Sequence, residues 1–166
     1  MNHPPLRRVL VFGGRDFERL SVVFEALDLA DKKHRIDVIV HGACGLCACG
    51  RPGCPFRTLK GADGLADRWA MLRGRGVERH VANWHPLQPG EMPGPRSPLP
   101  EVTTKGEHPT PIDRYAGPRR NRQMARSRPA GAIAFPGGAG TQNMLRECQQ
   151  AGVRVWTPRP STALAA

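Results

Sequence analysis

The sequence predicts an α/β fold, a Rossmann-like parallel sheet with helices on both faces. Three observations predict it. Short apolar runs alternate with segments of helical spacing, several of the runs close on glycine, and none is long enough to span a bilayer. Strands in such an alternation are covered on both sides, which is why they read as nearly continuous apolar runs. One domain over residues 1–160 suits a chain of 166 residues.

Leu6 to Phe12 forms the first strand and turns at Gly13-Gly14. From Phe17 to Ala30, apolar residues fall at Leu20, Val23, Phe24, Leu27 and Ala30, the spacing of a helix with one buried face. Ile36 to Val40 is a second strand, leaving through His41-Gly42-Ala43. A Cys-rich insert at 43–60 follows, and Gly61 opens a helix carrying Leu65, Ala66, Trp69, Ala70 and Leu72. Val77 to Val81 is a weaker strand. Residues 85–117 hold many of the 17 prolines with neither period, so they read as one long loop. Arg119 to Ser127 is a short helix and Gly131 to Phe135 a strand. Pro136 to Thr141 is a glycine-rich turn, Gln142 to Ala151 a helix, and Val153 to Trp156 a last strand before a Pro/Ala tail.

The charge is lopsided, 25 Lys+Arg against 14 Asp+Glu for a net +11, and this favours polyanionic partners. Nucleic acid is the weaker of these, because no basic run is interleaved with aromatics and the chain has a single tyrosine. The first residues run straight into a strand with no long apolar leader. A reducing cytoplasmic setting is therefore expected, with no membrane partner. Four of the five cysteines, Cys44, Cys47, Cys49 and Cys54, crowd into the insert. Clustered thiols in a reducing compartment point to metal sooner than to disulfides. Their C-x2-C-x-C-x4-C spacing supplies four thiolates of the kind zinc binds. Plain reduced thiols, redox use and an iron–sulfur cluster are the other readings of the same spacing. Cys148 reads as a small core residue, and His41 as a structural histidine. His80, His85 and His108 show no partner spacing. Trp69 reads as helix core, and Trp84 as the indole placed to cover a purine.

Two glycine turns, Gly13-Gly14 and Pro136-Gly137-Gly138-Ala139-Gly140-Thr141, each sit where a strand meets a helix. In a parallel sheet such turns share one edge, where ligands bind. Glycine lets the backbone approach a phosphate, and a helix start offers unpaired N–H groups and positive potential. Arg119, Arg120 and Asn121 fall in the first turn of a helix, where cations are unfavourable unless an anion is bound nearby.

These segments, taken in order, resemble the SLOG superfamily. They are Gly13-Gly14-Arg15-Asp16-Phe17, His41-Gly42-Ala43 with Gly61-Ala62-Asp63, Ala116 to Met124, and Phe135 to Thr141. The likeness is greatest to the YspA-like, YpsA-related branch found in bacteria and phages, and it spans residues 7–156. The resemblance implies a domain that binds nucleotides or nucleotide-derived signals, as a sensor or as a phosphoribohydrolase of the Lonely Guy type, with no organic cofactor. It also allows a homodimer. It places Gly13, Gly14, Arg15, Asp16, Gly42, Lys60, Gly61, Asp63, Arg119, Arg120, Asn121, Gly137, Gly138, Gly140 and Thr141 at the ligand. In an enzyme, Arg120 would stand beside the scissile N-glycosidic bond. The hydrolases continue their turn into a glutamate pair, whereas this chain has Asn143 and Met144 there. Neither can act as a general acid or base, so binding is the favoured expectation.

Overall fold

The computed structural model describes residues 5–86, 102–103 and 112–159. Its sheet has five parallel strands, β1 (Arg8–Phe12), β2 (Val38–His41), β3 (Gly76–Arg79), β6 (Gly131–Ala134) and β7 (Val155–Trp156), in the order β3-β2-β1-β6-β7. A separate antiparallel pair joins β4 (Val102–Thr103) to β5 (Ile112–Asp113). The helices are α1 (Leu20–His34), α2 (Gly61–Leu72), α3 (Ala116–Arg126) and α4 (Ala139–Gln150). This is the expected α/β Rossmann-like fold. β1 pairs with β2 from Arg8↔Val38 to Leu10↔Val40, and with β6 from Val9↔Gly131 to Phe12↔Ala134.

Side-chain alternation along the strands sorts the core into two layers. Val11, Ile39, Ile133 and Phe135 point to the face covered by α1 and α2, where Val23, Leu27, Ala66 and Trp69 meet them. Leu10, Phe12, Val40, Ala132 and Ala134 point to the opposite face, against Met124 of α3 and Met144 and Cys148 of α4. Trp69 is fully buried, and its Nε1–H donates to Asp28 Oδ1 at 2.9 Å.

Several boundaries differ from expectation, each for a local reason. Phe17 does not open α1: its ring packs on Phe135 with centroids 5.4 Å apart, and its N–H donates to Gly14 O. α1 instead runs past Ala30 to His34, through an exposed last turn whose Lys32, Lys33 and His34 suit the negative helix end. α3 begins at Ala116, which puts Pro118 in the first turn, where no amide is needed. β5 and the start of α3 thus lie within the stretch expected as loop; residues 87–101 and 104–111, His108 among them, fall outside the described residues.

A buried polar network ties the carboxyl edge of the sheet to α2. His41 is fully buried, with Nε2 2.9 Å from Asp67 Oδ2 and Nδ1 accepting from Ala43 N–H. That second bond assigns the ring proton to Nε2, and it holds Ala43 in a left-handed turn (φ 50) out of β2. Arg79 grips the same carboxylate through both oxygens. Burial pushes Asp67 up, but Arg79 and His41 outweigh it and hold the carboxyl below its ordinary value. Glu78 is also lowered, chiefly by its bond to Arg8. Depressed carboxyls contribute stability above the unfolded value, about 4, which is lost as pH falls through the folded one. Asp63, raised by burial, works in the opposite sense and partly offsets them. The melting temperature is expected to hold from pH 7 to 5 and to drop below about pH 4. Asp67→Asn should flatten that acid limb, and an unchanged limb would remove Asp67 from this role.

Candidate functional site

Because all five strands run the same way, the turns that leave β1, β2, β3 and β6 lie along one edge. β1 and β6 are the neighbours at which the strand order reverses, and crevices for ligands form at that point in open α/β sheets. The two glycine turns meet there. Gly14 N–H donates to Pro136 O at 2.9 Å, and a Cβ on Gly137 would lie 2.6 Å from Gly14 N. Gly61 has φ +61 and lies so close that a Cβ would come within 2.1 Å of Gly14 O. Three of the expected turns therefore form one contiguous floor. The Gly14 amide, expected to face a phosphate, is instead spent on joining the turns.

α4 leaves this floor directly. It starts at Ala139, with no side chain capping its first turn and no acidic residue there. Gly138 and Gly140 face open space. Thr141 is 6% exposed, and its buried hydroxyl has no hydrogen-bond partner among the described residues. A buried hydroxyl without a partner is costly, so its position beside an uncapped helix start is informative.

Arg120 rises from α3 over Gly42. A Cβ on Gly42 would lie 2.6 Å from the guanidinium carbon, so any side chain there would push the guanidinium off its place. The guanidinium donates to Gly42 O, and to Asn121 Oδ1 from Nε and Nη2 at 3.2 and 3.1 Å. Asn121 in turn donates to Asn143 Oδ1 at 2.8 Å, tying α3 to α4. Among the described residues no carboxylate makes a contact ion pair with Arg120. Burial lowers its pKa, which Asp63 and Cys44 oppose only through the field. Arg15, exposed beside it, acts on the Cys44 thiol through its charge. Burial and Asp63 push that thiol up against the pull of Arg15 and Arg120.

Other expected ligand residues have different engagements. Asp63 Oδ2 accepts from Cys44 N–H at 3.0 Å, so its carboxylate anchors the chain leaving β2. Arg119 pairs with the buried Asp113, which holds it to β5 and away from the glycine turns. Lys60 and Asp16 are exposed at the rim. Trp84 lays its ring against Gly117 in the first turn of α3. Glu147, one helical turn past Met144, is buried and paired with Arg122 at 3.4 Å.

The metal set needs one correction. Cys44 falls outside the cluster, and its amide donates to Asp63 Oδ2 instead. The fourth ligand is His85, beyond β3. The ligand atoms of Cys47, Cys49, Cys54 and His85 all lie within 4.8 Å of one another, and this cluster could hold a metal ion. His85 Nδ1 is 3.4 Å from Cys47 Sγ and 3.8 Å from Cys54 Sγ, and its ring stacks on Phe56 at 5.4 Å. Cys49 N–H donates to Cys47 Sγ at 3.4 Å, and such a bond to a ligand atom helps to orient it toward the cluster. Spacing along the chain could not find His85. The available signal was spatial: a histidine just past a strand that ends at the same edge as the insert.

The fold and the clustered thiols define the chain as a Rossmann-like α/β protein with a candidate Cys/His metal centre. It is 32% identical over 160 residues to the Gene 61 protein of Mycobacterium phage D29, a match covering 90% of this chain and 94% of that protein. The chain belongs to the family of that phage protein. No protein-family model matches it. Among the described residues no helix is long and apolar enough to cross a membrane.

Proposed function

We propose that the chain binds the phosphate of a nucleotide or nucleotide-derived ligand where the turns after β1 and β6 meet, and that it works as a sensor or binding protein. The observation that carries this reading is Arg120, a largely buried cation whose contacts are neutral acceptors. Buried charges are ordinarily paired, and an anionic ligand supplies the missing partner. The first-turn amides of α4 and the Thr141 hydroxyl are the donors for phosphate, with Arg15 and Lys60 adding charge at the rim. Asp16 is the carboxylate left for ribose hydroxyls. The resemblance to the SLOG superfamily supports the same site.

Binding is favoured over N-glycosidic cleavage. Asn143 is occupied by Asn121, Met144 lies in the core and Glu147 is paired, so the start of α4 offers no general acid or base. The net charge of +11 also suits nucleic acid, and that reading predicts an affinity falling steeply with salt.

Zinc is the ion that the cluster fits. Zinc–sulfur bonds of about 2.3 Å and zinc–nitrogen bonds of about 2.0 Å place tetrahedral neighbours roughly 3.5–3.8 Å apart. The Cys47–His85 and Cys54–His85 separations of 3.4 and 3.8 Å match this spacing. Four protein ligands make a closed, structural site.

Calorimetric titration with AMP and a panel of other nucleotides tests the ligand reading. Arg120→Ala is expected to weaken binding by about ten- to a hundred-fold, the value of a charge-assisted hydrogen bond. Undiminished binding in that variant would remove Arg120 as the phosphate's counter-charge.

A further inference from the structure

We propose that the metal ion held by Cys47, Cys49, Cys54 and His85 braces two walls of the anion pocket, so that metal binding and anion binding are thermodynamically linked. The anion half of this inference rests on the nucleotide reading above. The brace stands on the backbone connections of the insert.

The first wall is the base of the insert. Residues 44–60 are rich in glycine, proline and cysteine, and they contribute nothing to either core layer. The segment is closed by Leu46 pairing with Arg57, by Cys47 N–H donating to Phe56 O, and by Lys60 N–H donating to Cys44 O at 2.9 Å. Gly45, at φ +92, lets the two arms cross so closely that a Cβ would lie 2.1 Å from Thr58 O. Lys60 leads at once into Gly61, whose backbone lies on Gly14 and Arg15. Loosening the insert therefore loosens the pocket floor.

The second wall begins at His85. The residue before it, Trp84, accepts from Asp113 N–H at 2.8 Å and seats its ring on Gly117. Asp113 accepts from Tyr115 N–H and pairs with Arg119, which fixes the start of α3, the helix that presents Arg120. The insert meets this segment through Ala48 N–H donating to Ala82 O and through the sulfurs grouped around His85. A cation shared by three sulfurs and His85 Nδ1 fastens the two walls to each other. Its loss removes that tie and leaves the walls joined by the Ala48–Ala82 hydrogen bond. Linkage then requires reciprocity: the factor by which metal tightens anion binding is the factor by which anion tightens metal binding.

The test compares the zinc-loaded chain, the chain stripped by chelator under reducing conditions, and the stripped chain refilled with zinc. Elemental analysis should find about one zinc per loaded chain. Stripping should speed hydrogen exchange of the Lys60 and Asp113 amides by about ten-fold or more and leave the β1 amides protected. AMP and inorganic phosphate should bind the stripped chain about ten-fold more weakly, with recovery on refilling. His85→Ala should reproduce the stripped state. Loaded and stripped chains with equal exchange at Lys60 and Asp113 would overturn the brace, as would a chain that takes up no zinc. If neither AMP nor phosphate binds the loaded chain, the nucleotide reading and the linkage fall together. Stoichiometry and exchange then still report on the brace alone.

Discussion

Gly137→Ala is expected to destabilise the protein by about 2–3 kcal/mol and to abolish phosphate binding. A methyl group there would lie 2.0 Å from Thr141 Oγ1, 2.6 Å from Gly14 N and 2.9 Å from Gly14 Cα. The hydroxyl can rotate away, but the backbone of the first turn cannot yield without opening its hydrogen bond to Pro136 O. For a chain of this size the melting temperature should fall by roughly 5–10 °C. Gly138→Ala is the matched control, since its methyl would meet nothing within 4 Å. Its stability should stay within about 0.5 kcal/mol of the parent. Thermal melts of the two variants side by side decide the matter. If they melt together, the two glycine turns do not touch.

The second large effect is on stability alone. Trp69→Ala should cost about 3–5 kcal/mol, because a fully buried indole between α1, α2 and the sheet leaves a cavity too large to collapse. Denaturant unfolding should show the loss as a lower midpoint with an unchanged slope. Trp69→Phe retains most of the packing and gives up the bond to Asp28, whose carboxylate keeps both contacts with Arg73. About 1 kcal/mol is expected for that variant. A Trp69→Ala loss below about 1 kcal/mol would mean that α2 packs differently from the arrangement described.

The central strands were legible because β1, β2 and β6 are covered on both faces, and double burial demands the apolar runs that mark them. The trailing turn of α1 was not legible, since Lys32-Lys33-His34 face solvent and carry no apolar period. Ala116-Gly117 read as loop because glycine punctuates loops, yet the first turn of a helix tolerates it ahead of Pro118. Strands as short as β4 and β5 have too few residues for an alternation to register. At the site, the glycine turns were legible one by one, but their mutual contact depends on the pairing of β1 with β6. The metal set was read from local spacing, which drew in Cys44. A ligand delivered by another strand leaves no spacing to read, so His85 was missed. Arg119 and Arg120 are adjacent in sequence, and only packing could separate one paired with Asp113 from one lying over Gly42.

The placement of β1 at the middle of the sheet has a consequence for how the chain assembles. Leu10 finds Val40 early, across a short stretch of chain, but its other neighbour is Ala132. Closing so large a loop costs entropy before any contact repays it, so folding should be slow for the chain's size. While the chain is being synthesised, the open flank of β1 waits as an apolar edge until β6 emerges. Newly made protein is thus most prone to self-association in that interval, and the segment that ends the risk is the one that carries the second glycine turn.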